Sequence, residues 1–133
     1  MLVLQGCVAN KSLSSDEASI KALSKCPIRD TFTMYEIPSH GAIGDAMMIA
    51  ALQTTGNDGG FYDDFSSYVK SGAHNIGLYS PNTKKLEAIL LHTFSKYPKD
   101  GLKNVSVCVI GVKEDESLLQ EAKRTKAQLT FAP

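Results

Sequence analysis

One apolar stretch late in the chain decides the fold class: Val105-Ser106-Val107-Cys108-Val109-Ile110-Gly111-Val112. Its apolar residues run almost without interruption, and they do not alternate with polar ones. That pattern is typical of a strand that is buried on both faces, as in a parallel sheet covered by helices. The stretch therefore predicts an α/β fold.

Helical and extended segments alternate on both sides of this strand. The predicted order along the chain is α-β-α-α-β-α-β-α-β. Strands that are joined by single helices indicate right-handed crossovers and parallel pairing. We therefore predict an α/β domain with a mainly parallel four-stranded sheet flanked by helices. A mixed sheet with one antiparallel edge strand is the alternative.

Local signals place several helix boundaries. Ser14 and Glu17 have the spacing of a capping box, and Ile20 and Leu23 would form the small apolar face of the first helix. Asp45 is predicted to cap the helix that follows it. That helix is apolar nearly all round, so we expect it to be buried. Ser80 is predicted to cap a later helix, with Pro81 at its first position.

Composition limits the classes of function. Residues 16–133 form one domain in our interpretation. The full chain of 133 residues has 14 basic and 14 acidic residues, whose charges cancel. A neutral chain offers no electrostatic reason to bind nucleic acid, and we predict no such partner. No apolar run approaches the ~20 residues of a membrane-spanning helix.

The N-terminal residues carry the clearest signal of location. Leu4-Gln5-Gly6-Cys7 resembles a bacterial lipobox, the cleavage and lipidation site of exported lipoproteins. The resemblance implies that Cys7 becomes the mature N-terminus and carries acyl chains, including palmitate. Val8 follows the cysteine where an Asp would favour inner-membrane retention, so the resemblance implies the periplasmic face of the outer membrane. The membrane and an envelope protein are then the expected partners.

Residues 1–15 are interpreted as a truncated signal segment and lipobox followed by a small, polar tether. A secretory signal needs a basic region and an apolar core of about 7–15 residues. Before the lipobox stand three residues, Met1, Leu2 and Val3, without Lys or Arg. Export therefore requires coding sequence upstream of Met1. If Met1 is the true start, we expect the protein in the cytoplasm.

Two cysteines remain once Cys7 is set aside. In an oxidising compartment Cys26 and Cys108 can pair, and the bridge would close a loop of roughly 80 residues. The alternative is a pair of free thiols, with Cys108 buried in its strand. Their spacing does not suggest a zinc site, and we predict no metal and no cofactor.

Possible chemistry is sought beyond the carboxyl ends of the strands, where ligands bind in open parallel sheets. The best candidate is the loop around His40, with His40 and Asp45 as weak catalytic candidates. Amide and hydroxyl groups that could bind a ligand there are those of Ser39, Gly41, Gly44, Ser80 and Asn82. A further loop carries Asp115. No known catalytic motif contains these residues.

Two functions fit the sequence. The first is a lipid-anchored cell-envelope protein that acts as a binding or assembly module, without defined catalytic activity. The second is a small α/β enzyme or ligand-binding domain with its site at the loop around His40. The sequence favours the first, because it contains a lipobox-like segment but no catalytic constellation.

Overall fold

The computed structural model of the protein describes residues 14–27 and 32–133. These residues form five helices and four strands, in the order predicted. Their bounds are α1 (Ser15–Lys25), β1 (Thr33–Glu36), α2 (Gly41–Thr55), α3 (Phe61–Lys70), β2 (Asn75–Tyr79), α4 (Thr83–Ser95), β3 (Ser106–Ile110), α5 (Glu116–Thr125) and β4 (Gln128–Ala132).

The four strands form one parallel sheet in the order β1-β2-β3-β4. The predicted α/β fold with a parallel sheet is confirmed, and all four described strands pair in parallel. The register places Met34 beside Gly77, Gly77 beside Cys108, and Cys108 beside Thr130. Strand order follows chain order, so each crossover joins neighbouring strands.

Alternate residues of the sheet enter two separate cores. Val107 and Val109 lie in the larger core, to which α2, α3, α4 and α5 contribute. Cys108 and Ile110 point to the opposite face and pack in a smaller core with α1. The four helices that follow β1 therefore cover one face of the sheet, and α1 covers the other.

Helix α1 lies on the sheet through small residues. Ala18 and Ala22 are 0% and 3% exposed, whereas Ile20 and Leu23 are 66% and 75% exposed. The prediction that Ile20 and Leu23 face inward is therefore wrong. Alanine side chains let the helix backbone approach the sheet closely, and the larger residues are left on the outside. The predicted capping box at the start of α1 is confirmed.

A disulfide fixes the end of α1 to the centre of the sheet. The residue after α1, Cys26, is bonded to Cys108 of β3, and their Cα atoms are 5.7 Å apart. The predicted pairing is thus confirmed. The bridge links residues 82 positions apart, so it closes most of the domain into one covalent loop.

Helix α2 differs from its prediction in two ways. It begins at Gly41, with His40 as the residue before it, so Asp45 lies inside the helix rather than at its cap. It is also not buried all round, because Ile43 and Met47 are 79% and 68% exposed. The helix packs against α4 on one side, and no described element covers its other side.

Within residues 14–27 and 32–133, no helix combines the length and the apolar character that crossing a bilayer requires.

Candidate functional site

The predicted site lies where β1 and β2 end side by side. Glu36 and Tyr79 are register partners at the ends of these strands, and the backbone N–H of Ile37 donates to the carbonyl of Tyr79 over 2.8 Å. The loop before α2 and the loop before α4 therefore leave the sheet together. This proximity brings side chains from both loops into contact.

Asp45 is the centre of this cluster and is 1% exposed. Its Oδ1 accepts hydrogen bonds from the backbone N–H of His40 (2.9 Å) and from Nζ of Lys85 (3.1 Å). Its Oδ2 accepts from the hydroxyl of Ser39 (2.5 Å) and from the amide of Asn82 (2.9 Å). Each carboxylate oxygen thus has two donors, as a buried charge requires.

Lys85 supplies the compensating charge. It is 1% exposed, and its Nζ donates both to Asp45 and to the carbonyl of Pro38, the latter over 2.7 Å. The ion pair therefore joins α4 to α2 and to the end of β1. Sequence reasoning missed Lys85, although it lies four residues before Ile89 and so in phase with the apolar stripe of α4.

The environment of Asp45 keeps it ionised. Burial acts to raise its pKa, but hydrogen bonds from the His40 backbone, Ser39, Asn82 and Lys85 together outweigh burial and hold the pKa well below its usual range. A carboxyl group that stays charged at neutral pH is a poor proton donor. The contacts of Asp45 are those of a structural anchor, and its catalytic role stays a prediction.

The other candidate residues around Asp45 have mostly local roles. Ser39 also accepts a hydrogen bond from Gly41 N–H (3.3 Å), and Ser80 accepts one from Asn82 N–H (3.1 Å). Asn82, not Ser80, is the N-cap of α4, since its Oδ1 accepts from Lys85 N–H over 3.1 Å. The prediction of a Ser80 cap with Pro81 in the first turn is therefore wrong.

Gly44 lies inside α2 and packs against His40. A Cβ atom built at Gly44 would lie 2.9 Å from the Cβ of His40, closer than real side chains approach. The glycine thus makes room for the turn into α2. Its backbone belongs to the helix, so it is not part of an exposed anion-binding loop.

A cavity of about 90 Å³ adjoins the ion pair. Its polar lining comes from Tyr35, His40, Asp58 and Lys85, and its apolar lining includes Phe61. A volume of that size holds a few water molecules or a very small ligand. Because His40 lines it, the cavity lies at the site predicted around His40.

Two of the polar groups at the cavity are already engaged. The carboxylate of Asp58 accepts from the backbone N–H groups of Gly60 and Tyr62, both at 2.9 Å, and so ties the preceding loop to the first turn of α3, whose N-cap is Gly60. The hydroxyl of Tyr35 donates to Asp64 over 2.7 Å, and burial, followed by this hydrogen bond, raises the pKa of Tyr35.

Asp115 does not join the His40 cluster. It caps α5 by accepting from Leu118 N–H over 2.9 Å, and it lines an open groove with Lys84 and Glu87. Burial, and then the charge of Asp115, raise the pKa of Glu87. The loops after β1 and β2 therefore converge on one site, and the loop after β3 contributes to another surface.

The sheet topology explains why the site is small. In open parallel sheets the ligand crevice forms where the strand order reverses. Strand order here follows chain order across all four described strands, so such a reversal is absent from them. Among residues 14–27 and 32–133, no three His, Cys, Asp or Glu side chains are grouped to hold a metal ion.

Comparison of the chain with protein-family models, with characterised proteins and with solved structures finds no match. The lipobox-like residues, including Cys7, lie outside the residues that the structure describes.

Proposed function

We propose that the protein is a lipid-anchored module of the bacterial cell envelope that binds or assembles with other proteins, without a defined catalytic activity. Cys7, in the segment that resembles a lipobox, would carry the lipid. Residues 8–13 would connect it to the domain that begins at α1.

The observation that carries this proposal is the use of the three cysteines. Cys26 and Cys108 are joined in a bridge, and structural disulfides persist mainly in oxidising compartments outside the cytoplasm. The remaining cysteine is the one that the lipobox-like pattern assigns to lipid attachment. All three cysteines thus fit one exported, anchored protein.

The polar cluster supports a binding role better than a catalytic one. Asp45 and Lys85 neutralise each other, and four donors hold the carboxylate in place. A catalytic acid or base needs a pKa near the working pH, which Asp45 does not have. Large apolar side chains are exposed instead on α1 and α2, as expected of protein contact surfaces.

Cell fractionation tests the anchor directly. The gene with its natural upstream sequence is expressed in bacteria as wild type, Cys7→Ser, and the double variant Cys26→Ala/Cys108→Ala. We expect wild type and the double variant in the membrane fraction and Cys7→Ser in the soluble fraction. The double variant is the matched control, because it also loses cysteines but retains the proposed acceptor. Equal distribution of wild type and Cys7→Ser would refute the anchor.

The cavity beside His40 favours a second candidate, a domain that binds a small polar molecule. Lys85 Nζ has three N–H donors and uses two of them within the described chain, which leaves one for a ligand oxygen. Titration with acetate and with phosphate, followed by amide NMR shifts, tests this candidate. Saturable shifts confined to α4 around Lys85 and to the His40 loop would support it, and their absence would remove it.

A further inference from the structure

Large apolar side chains are exposed on the side of the sheet that α1 covers. Ile20 and Leu23 are 66% and 75% exposed, and their spacing of three positions puts them on one side of the helix. Met34 of β1 is 38% exposed and lies on the same side of the sheet, because it pairs with Gly77, which pairs with Cys108 beneath α1. Ile20, Leu23 and Met34 form what we call the α1 surface.

The start of α1 is close in the chain to the proposed site of lipid attachment. Ser14, the N-cap of α1, comes seven residues after Cys7. A fully extended chain spans at most about 3.6 Å per residue, so a lipid on Cys7 holds Ser14 within about 25 Å of the membrane. The present inference rests on that proposed anchor.

This reach decides which side of the domain meets the membrane. Helix α1 covers one face of the sheet, and α2 to α5 cover the other. With α2 to α5 on the membrane, α1 would lie about 25 Å above the lipid, counting about 10 Å between packed layers and about 5 Å for a helix radius. The tether would then have to be fully extended, which costs the conformational entropy of each of its residues. With the α1 surface on the membrane, the tether is not stretched.

The charges and side chains of α1 suit shallow contact with lipid. Its two acidic residues, Asp16 and Glu17, and its two basic residues, Lys21 and Lys25, cancel, so headgroup charge neither attracts nor repels the helix as a whole. Apolar side chains of surface helices insert at the boundary between headgroups and acyl chains. Three side chains give a weak, reversible contact, but a tethered domain meets the membrane at a local concentration in the millimolar range. The anchor therefore makes a weak surface sufficient.

We propose that the α1 surface lies on the membrane that holds the lipid anchor, with Ile20 and Leu23 inserted at the headgroup level. The bridge between Cys26 and Cys108 keeps this surface in place, because it fixes the end of α1 to the sheet. Of the two exposed apolar surfaces, that of α1 then meets lipid. That of α2, on the other face of the sheet, is turned away from the membrane and remains for a protein partner.

The full chain coupled to lipid vesicles tests the proposal. Cys26 and Cys108 are bonded, so Cys7 is the one thiol of the chain that can react with a maleimide lipid in phosphatidylcholine vesicles. The chain has no tryptophan, so Leu23→Trp introduces a single fluorophore. We expect brominated acyl chains to lower its emission about twofold, since the indole would lie at the edge of the hydrocarbon. Equal emission with brominated and ordinary lipid would overturn the proposal.

Two further variants make the result specific. Met47→Trp is the matched control, because Met47 is 68% exposed but lies on α2, at the other face of the sheet. Its emission should not change, and quenching equal to that of Leu23→Trp would refute the orientation. Adding Ile20→Asp to the Leu23→Trp chain places a charge on the α1 surface and should abolish the quenching while circular dichroism shows the same fold. Quenching that persists would contradict an apolar contact.

Chemical coupling separates this inference from the anchor itself. The coupled chain carries its lipid on Cys7 whether or not cells attach one there, and fractionation of cells tests the natural attachment. Loss of quenching in the coupled chain would therefore overturn the membrane contact alone. Soluble wild-type protein in cells would instead refute the anchor.

Discussion

Nζ of Lys85 lies 3.1 Å from Oδ1 of Asp45, and both residues are almost completely buried although they are 40 positions apart in the chain. The pair joins the helices that follow the first two strands. Breaking one partner of a buried pair leaves an uncompensated charge, which costs about 3–5 kcal/mol.

We therefore expect Lys85→Met to lower the free energy of unfolding by about 3 kcal/mol, the lower end of that range, because Asp45 retains three donors. Urea denaturation measures the change. Lys84→Met is the matched control, since Lys84 is the exposed neighbour on the same helix, and it should change stability by less than about 0.5 kcal/mol. Equal effects of the two substitutions would contradict the structural role of the pair.

The same pair predicts how stability depends on pH. The folded protein holds the pKa of Asp45 below its usual value, which is about 4 in the unfolded chain. The unfolded chain therefore binds a proton that the folded protein does not, so stability is lost as pH falls below about 4. In the Asp45→Asn variant, the free energy of unfolding should fall less steeply below pH 4, by up to about 1.4 kcal/mol per pH unit. Urea denaturation at a series of pH values measures this dependence.

Glu17 also contributes to the loss of stability at low pH. Its pKa is lowered by the hydrogen bonds with Ser14 in the capping box, first with the backbone and then with the side chain. Glu17→Gln therefore serves as the comparison in the pH experiment, because Glu17 is exposed and its effect should be the smaller one. Identical slopes for wild type and Asp45→Asn would show that Asp45 is not the group that titrates.

The disulfide should determine whether α1 stays on the sheet. The buried residues of α1 are two alanines, Ala18 and Ala22, which provide little apolar contact. Reduction should therefore release α1 from the sheet. Trypsin cleavage after Lys25 should then accelerate much more than cleavage after Lys96, at the end of α4. Peptide mapping over time measures both rates. Equal acceleration at both sites would mean that reduction unfolds the whole domain.

Removing the bridge should also lower global stability. Closing a loop of 82 residues corresponds to about 4.5 kcal/mol in the chain-entropy model, and measured losses are usually 2–5 kcal/mol. We expect a loss in that range for Cys26→Ala/Cys108→Ala by urea denaturation. A loss below about 1 kcal/mol would mean that α1 and β3 are held together by their other contacts.

Gly44→Ala tests the close packing at the turn into α2. In an ordinary helix interior this substitution stabilises by about 0.5–1 kcal/mol. Here the new Cβ would lie 2.9 Å from that of His40, so we expect destabilisation instead. Ala50→Gly on the exposed face calibrates the helix propensity and should cost about 1 kcal/mol. A more stable Gly44→Ala variant would show that His40 moves freely.

The sequence predicted those features that depend on local pattern. The apolar run through Val107 and Val109 indicated a doubly buried parallel strand, and the structure has it at the third position of the sheet. The capping box of Ser14 and Glu17 is also local, since both residues lie in one helical turn. The Cys26–Cys108 bridge was one of two alternatives that the sequence left open for the cysteines other than Cys7, and the structure has the bridge rather than free thiols.

The orientation of α1 and α2 could not be predicted in the same way. In the sequence, Ile20 and Leu23 are the larger apolar residues of α1 and so indicate its inward face. In the structure the helix packs closely on the sheet through the small residues Ala18 and Ala22 instead. Helix α2 is apolar on every side, so its sequence contains no signal of which side is covered. The Asp45–Lys85 pair depends on tertiary contact, so no local pattern predicts it. The position of Lys85 in phase with the apolar stripe of α4 was the one sequence signal that Lys85 is buried.

The central claim of this account is that Cys7 is the lipid-bearing N-terminus of an exported domain. The most direct test is intact-protein mass spectrometry of the natural protein from the membrane fraction, without reduction. We predict a chain that begins at Cys7, carries acyl groups there, and lacks two hydrogens because Cys26 and Cys108 are bonded. A protein that retains Met1, with an unmodified Cys7 and free thiols, would contradict the account.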